Sequence, residues 1–324
     1  MGTVVLGEKL TIEKFIEIAV FHSEVGFSQE YRERVEKSRG IIEACVEKEK
    51  AVYGTTTGFG ALVSQFITKD EAELLQKNII LTHSVSVGEP LAEEEVRAVM
   101  LMVLQSPGRG VSGVRMEVLE RYRDFLNKNL IPYVPGEGSV GYLCVEAHIA
   151  AVLIGEGKAW YQGELLPAEE ALKKAGMEPL TLSYKEGLAL INGTTSPTAL
   201  AALAVYRLTQ AAETADVVAA MSLEGLKGQL RAFDSHVIAC RPQTELEETA
   251  EKLKSYLMDS EVVKKWEGSH LQDPLSLRCI PQLHGAAKRI LKDAWEVVFC
   301  EINSCGDNPV VYGSEDEPDI YSNG

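Results

Sequence analysis

Apolar residues recur three and four positions apart through most of the chain, the repeat that lines one face of a helix. Segments 11–22, 28–50, 68–84 and 91–105 follow it. Thr68-Lys-Asp-Glu71 precedes Leu74, Leu75 and Ile79 as a capping box, hydroxyl and carboxylate each satisfying an amide of the first turn. Tyr53-Gly-Thr-Thr-Thr-Gly-Phe-Gly60 is too rich in glycine and β-branched residues to continue a helix and reads as a loop. Ser196-Pro197 offers an N-cap and a proline at the first helical position, and the Ala- and Leu-rich run behind it extends to about Gly225. A helix over about 245–258 places Leu246, Ala250, Leu253 and Leu257 on one face. Another, over about 282–303, turns Ile290, Leu291, Trp295, Val298 and Ile302 inward. The pattern predicts a mainly α protein, with a mixed N-terminal region rich in Gly loops over 1–195 and a long-helix bundle over 196–324. Because the chain ends in a loop-like Glu317-Pro-Asp-Ile-Tyr-Ser-Asn-Gly324, the bundle is expected to be completed by a continuing segment or a second polypeptide.

A composition of 45% hydrophobic and 25% charged residues over 324 positions is that of an ordinary globular protein. The net charge of −16 argues against nucleic acid, whose phosphates demand a dense Lys/Arg surface. The N-terminus lacks the basic segment and apolar run of a signal peptide, and no stretch reads as long enough to span a membrane, so a cytoplasmic location is expected. Six scattered cysteines without C-x-x-C spacing read as reduced and mostly buried, and a Cys300–Cys305 disulfide is disfavoured. His148, His236, His270 and His284 show no paired spacing with carboxylates or thiols, so no metal is expected.

The candidate chemistry lies in seven strings. They are Tyr53-Gly-x-x-Thr57-Gly-Phe-Gly60, His83-x-x-x-Val87-Gly-Glu-Pro90, Ser112-Gly-Val-Arg115, the run from Gly138 to His148, Leu190-Ile-Asn192-Gly-Thr194, Gln272-Asp-Pro-Leu-Ser-Leu-Arg278, and Glu301-Ile-Asn-Ser-Cys-Gly-Asp-Asn308. In this order they resemble the histidine and aromatic amino-acid ammonia-lyases over nearly the whole chain. In that family Gly-Ser-Val-Gly runs into Ala-Ser-Gly, which cyclises to a methylidene-imidazolone. Here Gly141 joins Tyr142 directly, the flanks stay in register only if three residues are absent, and Ala-Ser-Gly occurs nowhere else. The resemblance implies the electrophile between Gly141 and Tyr142, as catalytic positions, with no external cofactor. Two readings stay open at this junction: a cyclised non-standard residue, or a lyase fold without its electrophile.

Removing ammonia and a non-acidic β-hydrogen from an amino acid needs a base and a clamp for the carboxylate besides the electrophile. The resemblance implies Tyr53 as base and Arg278 as bidentate carboxylate clamp, a geometry lysine cannot reproduce. Asn192 would meet the carboxylate and the electrophile's carbonyl, Gln272 would stand near the electrophile, and His83 would face the far end of the substrate. Without the family context, a tyrosine packing a loop, a structural ion-paired arginine, a turn asparagine, a loop-capping glutamine and a core or surface histidine are the commoner roles of these residue types. An imidazole at 83 suits histidine or tyrosine better than phenylalanine, which makes L-histidine the first expected substrate and L-tyrosine the second. An aromatic 2,3-aminomutase and a catalytically silent binding or partner subunit are the alternatives, and a homotetramer is the assembly the resemblance implies. Two departures stand out. Leu275 replaces a second family tyrosine, and Tyr142, Cys144, Val145 and Glu146 follow the junction where aspartate and then small or apolar residues are usual.

Overall fold

The computed structural model of the chain describes residues 2–58, 67, 69–139 and 143–323. It begins with β1 (Thr3–Leu6), α1 (Ile12–Ala19), β2 (Glu24–Phe27), α2 (Gln29–Glu47), α3 (Lys69–His83), β3 (Val87–Pro90), α4 (Glu93–Gln105) and α5 (Met116–Lys128). Then come β4 (Ile131–Pro132), β5 (Pro135–Glu137), α6 (Cys144–Leu153), β6 (Lys158–Tyr161), β7 (Glu164–Pro167), α7 (Ala168–Lys174), α8 (Glu186–Ile191) and α9 (Thr195–Gly225). The rest is α10 (Ser235–Ile238), α11 (Thr244–Leu257), α12 (Glu261–Trp266), α13 (Leu275–Arg278), α14 (Ile280–Ile302), β8 (Val310–Gly313) and β9 (Pro318–Tyr321). The mainly α class and the long helices are as expected. The capping box at Thr68 and the end of the tyrosine loop, Phe59-Gly60, lie outside the described residues.

The chain divides into two compact units, one formed by Met1–Leu203 with Val298–Gly324 and the other by Ala204–Val297. In the first, α4 is buried from Val96 to Gln105 and packs on α1, α5 and α6, as an apolar helix must when no face of it meets water. Phe15, Ile16, Val99, Leu101, Phe125 and Ile149 are among its core residues. Short strands edge the helices: β1 and β2 pair in parallel, while β3–β5, β4–β6–β7 and β8–β9 pair antiparallel. Thr11 and Ser28 cap α1 and α2 through hydroxyls that accept from Lys14 N and Tyr31 N.

The second unit buries Leu223, Phe233, Leu246, Ala250, Leu253 and Leu257, so the predicted face of α11 is its core face. Its polar centre is Asp216 of α9, wholly buried, which accepts from His284 Nδ1 at 2.8 Å and from Lys288 Nζ. On α14 the expectation needs correction. Val298 and Ile302 are buried and Leu291 and Trp295 half-buried, but Ile290 is 69% exposed. The side of α14 that meets other helices of this unit carries Lys288 and Lys292, bound to Asp216 and Glu245, and Ile290 lies roughly 200° around the helix from Lys288.

Two further readings are corrected. Only Cys45 of the six free cysteines is fully buried, because the others sit on helix ends and turns near the surface. Among the described residues one stretch, Glu186–Gly225, is long and apolar enough to cross a membrane, with a mean hydropathy of 1.4 over an 18-residue window. In the fold 61% of that window is buried, the pattern of a core helix.

Arg97 anchors the first unit. It is 1% exposed and donates to the carbonyls of Ile18 (2.8 Å), Ala19 (3.2 Å) and Leu126 (3.0 Å) and to Asn129 Oδ1 (2.7 Å), satisfying carbonyls at the ends of α1 and α5. Burial lowers its pKa to about 10, so it stays charged at neutral pH. Arg97→Met strands these acceptors at roughly 1–3 kcal/mol each. The expected loss is at least about 3 kcal/mol in urea unfolding, and an unchanged midpoint would refute the anchor role.

Candidate active site

The Tyr53 turn is held by its own threonines. Thr55 and Thr56 amides donate to Val52 O, Val52 N donates to Thr56 Oγ1 at 2.8 Å, and Thr56 Oγ1 donates to Lys50 O. Short hydroxyl side chains bonding the local backbone explain why this string turns instead of extending α2. Tyr53 itself is half-buried. Gln76, fully buried on α3, then fastens the turn to α8: its Nε2 donates to Gly54 O (3.2 Å) and its Oε1 accepts from Leu188 N (3.2 Å). A Cβ at Gly187 would lie 2.4 Å from Gln76 O, so only glycine lets α3 and α8 come this close.

His83 ends α3. Its Nδ1 lies 2.7 Å from Ile79 O, and a carbonyl can only accept, so Nδ1 carries the proton and Nε2 is the face offered to a ligand. The following segment pairs with the lead into the signature, Val87 opposite Glu137 and Pro90 opposite Pro135. It is also pinned to α6, where His148 Nε2 accepts from Ser86 N at 3.1 Å and burial pushes the imidazole pKa down.

Asn192 ends α8. Its Nδ2 donates to Asn308 O (2.9 Å) and contacts Asp307 Oδ1 (3.4 Å), which leaves its Oδ1 as the atom able to meet a ligand. Asp307 is paired in turn with Lys185 at 2.6 Å, both groups essentially unexposed. The turn fits because Gly193 has φ of 90° and a Cβ there would stand 2.9 Å from the Gly306 backbone. Arg115 grips Glu186 with Nε and Nη2, each at 2.8 Å, and Glu186 also accepts from the amides of Arg115 and Ser183. Packing of α3, α6 and α8 on one another thus draws the Tyr53, His83 and Asn192 strings and the signature helix together.

Gln272 and Arg278 belong to the second unit. Gln272 is exposed. Arg278, half-buried on α13, donates from Nε to Asp273 O (2.9 Å), which fixes its stem, and its terminal nitrogens have no partner among the described residues. Asp273 accepts from His270 Nε2 and Gln229 N, both at 2.8 Å. Gly141 and Tyr142 lie outside the described residues.

Residues 10–324 match the model of the family described as aromatic amino acid lyase. The chain belongs to the aromatic amino acid lyase family. It is 41% identical over 324 residues to a histidine ammonia-lyase of Caldanaerobacter subterraneus, covering 99% of this chain and 63% of that protein. The solved phenylalanine aminomutase of Pantoea agglomerans superposes with a TM-score of 0.92 at 31% identity, covering 100% of this chain and 66% of that one. The histidine ammonia-lyase of Trypanosoma cruzi gives 0.90 at 32%, covering 100% and 61%. The chain therefore spans about 63% of the length of the curated relative above.

Within this lyase framework the signature helix tests whether the family's electrophile fits. A methylidene arises by dehydrating a serine inside a cyclising tripeptide, and Val140-Gly-Tyr-Leu-Cys144 holds no serine. Leu143, the N-cap of α6, has φ of 76°, and the first turn behind it places Glu146 wholly inside the protein. Its Oε1 accepts from Ser196 N in the first turn of α9 at 2.6 Å, and the Ser196 side chain and local backbone amides also favour the charged carboxyl. Burial pushes this carboxyl's pKa up. A positive helix end that would steady charge developing on an electrophile's oxygen already faces a carboxyl. The junction itself, Val140 to Tyr142, lies outside the described residues.

Sequence reasoning passed over Gln76, Lys185 and Glu186 as contributors, and it saw Asp307 only as part of a string. Lys185 and Glu186, side by side before an apolar run, were the available signal, since charges there are buried only when paired. Lys185→Met leaves Asp307 buried without its cation. It is expected to cost about 3–5 kcal/mol in denaturant unfolding, and a loss below about 1 kcal/mol would mean the pair is not structural.

Proposed function

We propose that the whole protein removes ammonia from L-histidine to give urocanate. The observation that carries this reading is 41% identity across 99% of the chain to a histidine ammonia-lyase. Likeness to the phenylalanine aminomutase is at 31% identity, which ranks the mutase outcome second. In this reading the electrophile that the resemblance implies would activate the substrate, a Tyr53 phenolate takes a β-proton, the Cα–N bond breaks with its electrons leaving on ammonia, and the Cα=Cβ bond forms. Arg278 holds the carboxylate with its two terminal nitrogens, Asn192 accepts through its oxygen from the substrate's ammonium, Gln272 orients the reacting end, and His83 meets the substrate imidazole through Nε2. The reading includes a cytoplasmic homotetramer of the whole protein, which light scattering tests. The Gly141–Tyr142 junction favours one further reading, a lyase-fold protein that binds the amino acid without turning it over.

The test is the whole protein with L-histidine, followed by urocanate absorbance and released ammonia. Equal amounts of both are expected, and binding without either product selects the silent reading. Tyr53→Phe should lower kcat roughly 100- to 10,000-fold, the span of general-base contributions, with unfolding unchanged. Arg278→Lys should lower kcat/KM roughly 10- to 100-fold. Wild-type rates in either variant would remove that residue from the site.

A further inference from the structure

The segment behind His83 has little of its own to seat it. Among the described residues 84–90 Ser86 alone is buried, and Val85 and Val87 are 62% and 63% exposed, so apolar packing does not fix this stretch. Its bonds back to α3 end with Ser84, whose amide and hydroxyl both donate to Ile80 O, at 3.0 and 2.9 Å. Ser86 Oγ has no hydrogen-bond partner, which leaves the Ser86 amide, donated to His148 Nε2 at 3.1 Å, as the polar tie at this point. Ser86 also lies against the strand that leads into the signature, where a Cβ on Gly138 would stand 3.7 Å from the Ser86 Cα.

Around His148, α6 is apolar from Ala147 to Leu153, and packing alone would ask for an alanine or leucine at this position. Burial lowers the pKa of His148, which keeps Nε2 unprotonated at neutral pH, the state in which it can accept the Ser86 N–H. His83 stands three residues before Ser86, and its Nε2 is the nitrogen left for a ring once Nδ1 has met Ile79 O. Any shift of Ser86 therefore passes to the turn that carries His83. The Tyr53 turn and Asn192 are held separately, by Gln76 and by the 307–308 turn. A binding contact needs its groups placed to within roughly 0.5 Å. We propose that His148 is a positioning residue for ring selectivity, its hold on the Ser86 amide fixing where His83 Nε2 stands for the substrate ring. The assignment rests on the reading of His83 as the residue that meets that ring.

The test uses imidazolepropionate and phenylpropionate, which have no amine to lose and differ only in the ring, titrated calorimetrically into the whole protein. Wild type, His148→Gln and His148→Asn are compared, because glutamine can bring an amide oxygen to about the place of Nε2 and asparagine is one carbon too short. Wild type and His148→Gln should prefer the imidazole by at least about tenfold. His148→Asn should lose most of that preference, with phenylpropionate affinity unchanged and faster hydrogen exchange at the Ser86 amide. Preference that survives in His148→Asn, or is lost in His148→Gln, overturns the assignment and leaves the histidine reading intact. So does an equal loss of affinity for both ligands in His148→Asn, which is what a merely structural role would give. Wild type without an imidazole preference overturns the histidine reading, and hydroxyphenylpropionate against phenylpropionate then repeats the comparison. No ring preference that depends on His148 in either pair overturns the assignment as well. Should His148→Asn not fold, His148→Leu takes its place in each comparison.

Discussion

The charge at the N-terminal end of α9 is the constraint on which the candidate site turns. A helix of 31 residues concentrates partial positive charge on its first amides, and those amides must meet an acceptor inside the protein. In this chain the acceptor is Glu146, delivered by the first turn of α6. That choice ties the signature helix to the long helix and fills with a carboxyl a field that another group could have used. The neighbouring turns are then set by contacts of the same kind. Gln76 holds the Tyr53 turn to α8, His148 holds the His83 segment to α6, and Lys185 with Asp307 supports Asn192. Each link joins residues distant in sequence through a buried polar contact, so the geometry of the site depends on a network more than on any single residue.

Glu186 and Glu146 both tie elements together from inside the protein, with different numbers of donors. Glu186 is saturated with donors and has no capacity left for a ligand. Glu146 instead accepts from Ser196 N at the start of α9, and burial pushes its carboxyl pKa up. The pH dependence of stability should show the same division. A carboxyl whose pKa is raised on folding supports the fold below its unfolded value near 4.5 and loses that support as pH rises through the folded value. A histidine whose pKa is lowered, such as His148, weakens the fold as pH drops below about 6.5.

Much of the fold was legible in the sequence because helical periodicity is local. The core face Leu246–Leu257 follows from spacing, and the Ser196-Pro197 signal marks the start of α9 to within two residues, the helix beginning at Thr195 with Ser196 already inside it. Ile290 was not legible, since α14 turns lysines toward Asp216 and Glu245, and an apolar repeat does not reveal that a polar network has taken the inner face. The same limit hid Gln76 and Lys185, whose partners lie 112 and 122 residues away. The site strings were visible as strings, and their roles were not. Asn192 was expected to meet a ligand with a donor and an acceptor, and in the structure its NH2 also holds the 307–308 turn. Glu146 was visible only as a departure from the family pattern, and the structure places it inside the protein against the start of α9.

Elimination at this site turns on the Gly141–Tyr142 junction, and mass spectrometry of the peptide spanning Val134 to Lys158, cut from the whole protein, reads that junction directly. Elimination predicts a peptide heavier than the residues as they stand in the sequence by alanine, serine and glycine less two waters. The mass of those residues alone, with Gly141 bonded to Tyr142, would contradict elimination and select the silent reading.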